Sequence, residues 1–398
     1  IKSLPADLHV PEITIFDLTS NELESIDSFL GMVGVRDLFL GSNRISRVDG
    51  SIGLCTRLAK LNLTCNQLVE LPDEVGDLAA CQEMDLRGNI LRALPAGIVR
   101  AGGLRKLLAC NNRIAELPED IGSMSKLVTL NLSRNNLAAV PKSFAAMSSL
   151  KELQLSFNKL VAVPAELGSL AALSSLHLGW NAIGELNSVL ATSQRLMLLH
   201  MNGNALAAFP PELCELRGLK ELYLGFTRVE VVPDQIGEIR GINALDVSGS
   251  LVSELPAALS QAKFLDRLDV SDGVPIPEEL FEKRSLRITV VGEPVRRPGY
   301  VVAQASMRGR RYNMEDASAI VPGYCDVDGQ GYFGVFDGHG GDEAALLVAD
   351  LHPADLRQRL EALGPAVDNE ECVVDALKRS FIDVNAMLTT DKIKKSGS

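Results

Sequence analysis

One pattern recurs through the first two thirds of this 398-residue chain. Leu58-x-x-Leu61-x-Leu63-x-x-Asn66-x-Leu68 reappears from Cys81, Leu104, Leu127, Leu150, Leu173, Leu196, Leu219, Ile242 and Leu265, each time 23 residues on. Earlier copies starting at Ile13 and Val35 bring the number to twelve. A unit this short cannot bury its own apolar side. Neighbouring copies must stack, each covering the next, so the chain has to build a solenoid.

The residue types set what each copy does. Leu-x-Leu alternation predicts a short strand with one face buried. The asparagine falls where the chain turns, and its amide can bond backbone groups of the turn and of a neighbouring coil. The second half of a copy reads Leu-Pro-x-x-Ile/Leu-Gly, as at Leu117-Pro-Glu-Asp-Ile-Gly122. Proline there disfavours a strand and suits a turn or the first position of a short helix. Strands are therefore expected on a concave side and short helical segments on a convex side. The pattern resembles the leucine-rich repeats, which implies a curved, right-handed solenoid, or horseshoe.

The ends of the array depart from the repeat. Ile1-Lys-Ser-Leu4-Pro5 matches Leu68-Val-Glu-Leu71-Pro72, so the chain is expected to begin inside a repeat. The asparagine position becomes Thr227, Ser250 and then Gly273. Threonine and serine can still bond the turn; glycine cannot. Leu286–Val291 reads as one closing strand that covers the last edge.

The period also picks out the solvent side of the strands. Between the two strand leucines stand Asp17, Phe39, Asn62, Asp85, Leu108, Asn131, Gln154, His177, His200, Tyr223, Asp246 and Asp269. Two positions after the second leucine come Phe157, Trp180 and Phe226, and Trp180 is the only tryptophan. Exposed aromatics on a rigid concave sheet suggest a protein-binding patch built from Phe157, His177, Trp180, His200, Tyr223 and Phe226. The competing reading is that Phe157, Trp180 and Phe226 pack along the strand edge over the turn. Histidines 177 and 200 are simply one repeat apart, with no cysteine or acid completing a zinc set.

Charge and composition exclude some classes. The formal net charge is −12, a poor match to nucleic acid or anionic lipid. No apolar run approaches the length of a membrane span. The seven cysteines are scattered and form no Cys-x-x-Cys pair. Neither end of the array has a cysteine-clustered cap. An intracellular, cytoplasmic protein is expected, with the nucleus or a peripheral membrane position as alternatives.

After residues 1–291, the segment 292–299 holds two prolines and two glycines and reads as a linker. Strands are expected at 300–307, 316–321 and 331–336. Helices should follow at 343–351 and 355–363 and from Asn369 onward. Within this stretch lie Arg311-Tyr-Asn-Met-Glu315-Asp316 and Phe333-Gly-Val-Phe-Asp337-Gly338-His339-Gly-Gly341. Acids beside glycine at strand ends offer hard oxygen donors to Mg²⁺ or Mn²⁺. The two motifs, in this order, resemble the metal-dependent serine/threonine phosphatases of the protein phosphatase 2C family. The resemblance covers residues 300–398 and implies the first part of that family's α/β sandwich. The family's later metal-binding aspartates are not in this sequence, so the chain is expected to be cut at both ends and inactive by itself.

The resemblance implies roles residue by residue. Asp337 bridges two divalent cations, and Gly338 adds its backbone carbonyl. Glu315 and Asp316 hold metal or metal-bound water. Arg311 clamps the phosphate and His339 protonates the leaving oxygen. Two classes of function stay open. One is a phosphatase whose repeats recruit a phosphoprotein substrate, similar in layout to the pleckstrin-homology leucine-rich repeat phosphatases. The other is a signalling scaffold resembling fungal-type adenylyl cyclases, with a small GTPase or other signalling protein on the concave face.

Overall fold

The computed structural model describes residues 1–4, 10, 12–26, 32–186, 188–239, 241–281, 283, 285–291, 295–297, 300–302, 305–306, 317–322 and 331–336, with side chains up to residue 290. The chain divides into two units, residues 1–268 with 273–287, and residues 269–272 with 288–398.

In the first unit, each Leu-x-Leu pair forms a three-residue strand, from Ile15–Asp17 through Lys60–Asn62 and Ser175–His177 to Ala244–Asp246. Each strand pairs in parallel with the equivalent strand of the next copy. The register is strict: Leu153, Leu176, Leu199, Leu222 and Leu245 stand opposite one another in turn. All five are fully buried. Each such leucine contributes about 2 kcal/mol of apolar burial. Stacking thus makes a continuous core that no single copy could make alone.

The asparagines form the expected ladder. Asn135 Nδ2 donates to the carbonyls of Leu132 and Ser133 in its own turn and of Ala109 in the copy before, at 3.0, 3.2 and 2.9 Å. Its Oδ1 accepts from Ile114 N–H at 2.9 Å. The same set recurs at Asn43, Asn66, Asn89 and Asn112. Thr227 keeps only the turn, donating to Leu224 O at 2.7 Å, and Ser250 likewise bonds Val247 O.

The proline halves form short 3₁₀ helices such as Asp73–Asp77, Ala165–Ser169 and Asp234–Glu238. The glycine of this half-repeat has a packing cause. A Cβ on Gly122 would meet the Ser143 carbonyl oxygen of the next copy at 1.8 Å, so the two backbones touch there.

One feature of the corner was not foreseen. The residue before the ladder position is left-handed in copy after copy: Ser20, Ser42, Cys65, Gly88, Asn111, Arg134, Phe157, Trp180, Gly203, Phe226 and Gly249, with φ between +52° and +68°. The turn demands this conformation whatever the side chain. Only glycine adopts it without cost; other residues lose roughly 1–2 kcal/mol.

In the second unit, Val290 and Val291 of the strand Arg287–Val291 pair antiparallel with Ser306 and Ala305. Val295–Arg297 pairs antiparallel with Tyr300–Val302. A strand therefore lies inside the segment read as linker, where alternating Val295-Arg-Arg suits an extended chain. The single strand expected at 300–307 is two, Tyr300–Val302 and Ala305–Ser306, with different partners. Ala317–Pro322 and Gly331–Phe336 form an antiparallel pair running from Pro322↔Gly331 to Ala317↔Phe336. The helices expected beyond residue 341 lie outside the described residues.

Candidate functional site

The aromatic and imidazole side chains of the repeats come together as two rows. Parallel pairing sets His177 beside His200 and His200 beside Tyr223. Their rings stack nearly flat, with centroids 4.6 Å apart for the histidines and 3.9 Å for His200 and Tyr223. Phe157 stacks on Trp180 at 5.7 Å in the corner row, and Trp180 faces Phe226 at 5.8 Å. Trp180 and Phe226 are two copies apart. They meet because the copy between carries Gly203 at the corner, where a Cβ would lie 2.6 Å from the indole. Gly249 likewise lies against Phe226. Arg134 caps the far face of Phe157, 4.3 Å from its centroid.

The two readings of Phe157, Trp180 and Phe226 therefore merge. The rings pack over the turn, as the structural reading expects. Phe157 nevertheless stays 40% exposed, and the other five residues of the patch are half-buried rather than sealed.

The rows are electrically quiet. Burial, and then the adjacent His177, push His200 down to about 4, against a side-chain hydrogen bond with Asn202. Burial also lowers His177, opposed by Glu152 and Glu221. Both imidazoles are neutral near pH 7. Ser175 Oγ lies 3.1 Å from His177 Nε2, and the Tyr223 hydroxyl donates to Glu221 Oε2 at 2.8 Å. Asn202 Nδ2 donates to Asp246 Oδ2 at 2.9 Å.

Four residues expected on the solvent side are buried instead: Asp85, Leu108, Asp246 and Asp269. Adjacent side chains explain two of them. Arg87 folds back on Asp85 with Nη2–Oδ2 at 2.6 Å. Ser248 donates both its N–H and its hydroxyl to Asp246 Oδ1, at 2.9 and 2.6 Å. A carboxylate satisfied by the chain two residues on can turn down onto the sheet.

Among the described residues, no three His, Cys, Asp or Glu side chains gather as a metal-holding group. Cys55, Cys81 and Cys214 are held up at about 11, 12 and 11 by burial, so these thiols stay protonated. No helix among the described residues is long and apolar enough to cross a membrane.

Arg311, Glu315, Asp316, Asp337, Gly338 and His339 lie outside the described residues. What is described is the hairpin between them. Its terminal pair is Ala317↔Phe336. Asp316 precedes Ala317 and Asp337 follows Phe336, so both acids are covalent neighbours of one and the same ladder rung.

Comparison with known proteins follows this division. A leucine rich repeat family model matches residues 102–160 and 125–183. Among solved structures, a leucine-rich repeat protein of Leptospira interrogans superposes with a TM-score of 0.61 and 25% identity, covering 72% of this chain and 81% of that one. Among curated proteins, protein phosphatase 1G of Rattus norvegicus is 34% identical over 92 residues, 23% of this chain and 15% of its own length. The MAP kinase phosphatase with leucine-rich repeats protein 1 of Dictyostelium discoideum is 37% identical over 79 residues, 19% of this chain and 10% of its own. The matched stretches thus span a small part of these relatives. The chain carries leucine-rich repeats, and a shorter stretch of it is similar to protein phosphatases.

Proposed function

We propose that the protein is a metal-dependent serine/threonine phosphatase whose leucine-rich repeats recruit the phosphoprotein. The observation that carries this reading is the hairpin rung Ala317↔Phe336, flanked in sequence by Asp316 and Asp337. Paired residues on adjacent strands are about 5 Å apart, and each acid is one peptide step further on. Asp316 and Asp337, 21 residues apart in the sequence, are thus each the next residue along the chain from the same described rung. The Dictyostelium similarity supports the combination, since that protein's name joins a phosphatase with leucine-rich repeats.

The donor set fits a hard divalent cation. Glu315, Asp316, Asp337 and the Gly338 carbonyl offer only oxygen, the ligand type that Mg²⁺ and Mn²⁺ take. Bound there, the cations supply Lewis acidity toward the phosphoryl oxygens. The chain's own groups do the rest. Arg311 holds the phosphate with two parallel N–H donors, which fixes its orientation. His339 gives a proton to the departing serine or threonine oxygen. The thiols of the repeats support an intracellular, cytoplasmic location.

The test is phosphate release from a phosphoserine peptide with Mn²⁺, using the protein as its cells make it and the Asp337→Asn variant. Asp337→Asn is expected to lose nearly all turnover while the repeats keep their melting temperature. Equal activity of the two proteins would remove the basis for the assignment.

A further inference from the structure

The corners of the array carry charge of one sign. Six residues of each copy round the corner, from the one after the second strand leucine to the one after the last leucine of the pattern. The successive corners 41–46, 64–69, 87–92, 110–115, 133–138, 156–161, 179–184 and 202–207 hold Arg44, Arg87, Arg92, Arg113, Arg134 and Lys159 and no acid. Over the whole chain acids outnumber bases, 51 to 39. All six cations are exposed.

Three of the six are bound or offset nearby. Arg87 is held by Asp85 at 2.6 Å. Arg92 stands next to Ala93, whose bridge partner is Glu116 of the next copy. Arg44 follows the corner 19–24, which contains Glu22 and Glu24. Arg113, Arg134 and Lys159 remain, one in each of three consecutive copies. None of them forms an ion pair among the described residues. The strand positions of the same copies, Leu108, Asn131 and Gln154, are uncharged.

The backbone under these cations is fixed. The amides of Asn112, Asn135 and Asn158 bind each corner to the copy before it, at 3.0, 2.9 and 2.9 Å. Arg134 is further placed by the Phe157 ring, 4.3 Å from its guanidinium carbon. Arg113 and Lys159 occupy the same position of copies that lie two steps apart, and Arg134 stands between them. Parallel strands are spaced about 4.8 Å, so the cations span about 10 Å. An extended chain rises about 3.3 Å per residue, so a segment of about four residues covers the strip.

A short run of acids on a protein matches this strip. A guanidinium takes a carboxylate with two parallel N–H donors. Nucleic acid and anionic lipid match it poorly. Binding through phosphates draws on roughly six to ten cationic contacts. The proline halves beyond the corners are acidic, with Asp73, Glu74, Asp77, Glu116, Glu119 and Asp120, and repel a wide polyanion. A phosphoserine would also suit the arginines, but the proposed activity removes that group. A carboxylate stays whatever the phosphorylation state.

We infer that Arg113, Arg134 and Lys159 form a docking strip for a short segment rich in Asp or Glu on the partner protein. The role given to the strip rests on the reading of the repeats as the recruiting surface. The two are separable, because docking is measured without phosphate release. An active phosphatase that ignores acidic segments would overturn the docking strip alone.

The test is selection of a displayed library of random linear peptides on the full chain, followed by anisotropy titration of one labelled peptide from the enriched set. Enriched peptides should share at least about three acids within five residues. Affinity should fall as NaCl is raised from about 50 to 500 mM. The double variant Arg113→Glu/Lys159→Glu changes only exposed side chains and should keep the circular dichroism melt. It should weaken binding at least about tenfold. Lys142→Glu, an exposed charge of the same sign in a proline half, controls for net charge and should leave affinity unchanged. An empty selection, a consensus without acids, or equal affinity of the double variant and the native chain would overturn the inference. So would an equal loss in Lys142→Glu, or tighter binding of single-stranded DNA or anionic vesicles through the same two residues.

Discussion

The indole of Trp180 lies across the Cα of Gly203, one copy further along, so closely that a Cβ there would sit 2.6 Å from the ring. The two residues are 23 apart in sequence and form one unit in space. Gly203 also needs its φ of +68°. Gly203→Ala therefore meets two penalties, a left-handed alanine and a displaced indole. A loss of about 2–3 kcal/mol is expected, with a shift in the emission of this single tryptophan. A denaturant titration followed by fluorescence checks both. Unchanged emission would show that the ring does not rest there.

The asparagine ladder predicts a graded series. Asn135 satisfies three carbonyls and one N–H. Asn135→Ala should cost about 2–4 kcal/mol, because buried backbone groups lose their partners. Asn135→Ser, which can keep the turn bond as Ser250 does, should cost less. Equal losses in urea unfolding would mean that the bonds across copies contribute nothing.

The histidine row predicts acid sensitivity. Folding lowers His200 from 6.5 to about 4. The unfolded chain therefore takes up a proton in a range where the folded chain does not. The stability from neutral His200 is complete above about pH 6.5 and is lost as the pH falls toward 4. The partly exposed ring limits the effect to about 1–2 kcal/mol. Melting temperatures from pH 7 to 4 should fall for the native chain and fall less steeply for His200→Gln. Parallel slopes would contradict the role given to the stacked imidazoles.

The repeat array was legible because its rules are local and recur. Leu61, Asn66 and Pro72 announce strand, ladder and 3₁₀ turn, and each does the same in the next copy. The corner's left-handed residue was not legible, because Ser42, Cys65, Arg134 and Trp180 share no side-chain property. The stacking of Trp180 on Phe226 was hidden for a related reason: its cause is an absence, the missing side chain of Gly203. The burial of Asp85 and Asp246 depended on which neighbour turned back to meet them, Arg87 and Ser248, and repeat spacing does not carry that information. In the second unit, the strand Gly331–Phe336 was readable from its unbroken apolar run. The strand at Val295–Arg297 was masked by the prolines and glycines around it.

Metal-dependent phosphatase activity, as proposed for this protein, has a direct signature. The most direct measurement is dephosphorylation of a phosphothreonine peptide by the protein as its cells make it, before and after chelation with EDTA and again after Mn²⁺ is restored. Oxygen donors alone hold such ions reversibly, so activity is expected to vanish on chelation and return with Mn²⁺. Activity indifferent to chelation, or no phosphate released at saturating Mn²⁺, would contradict the account.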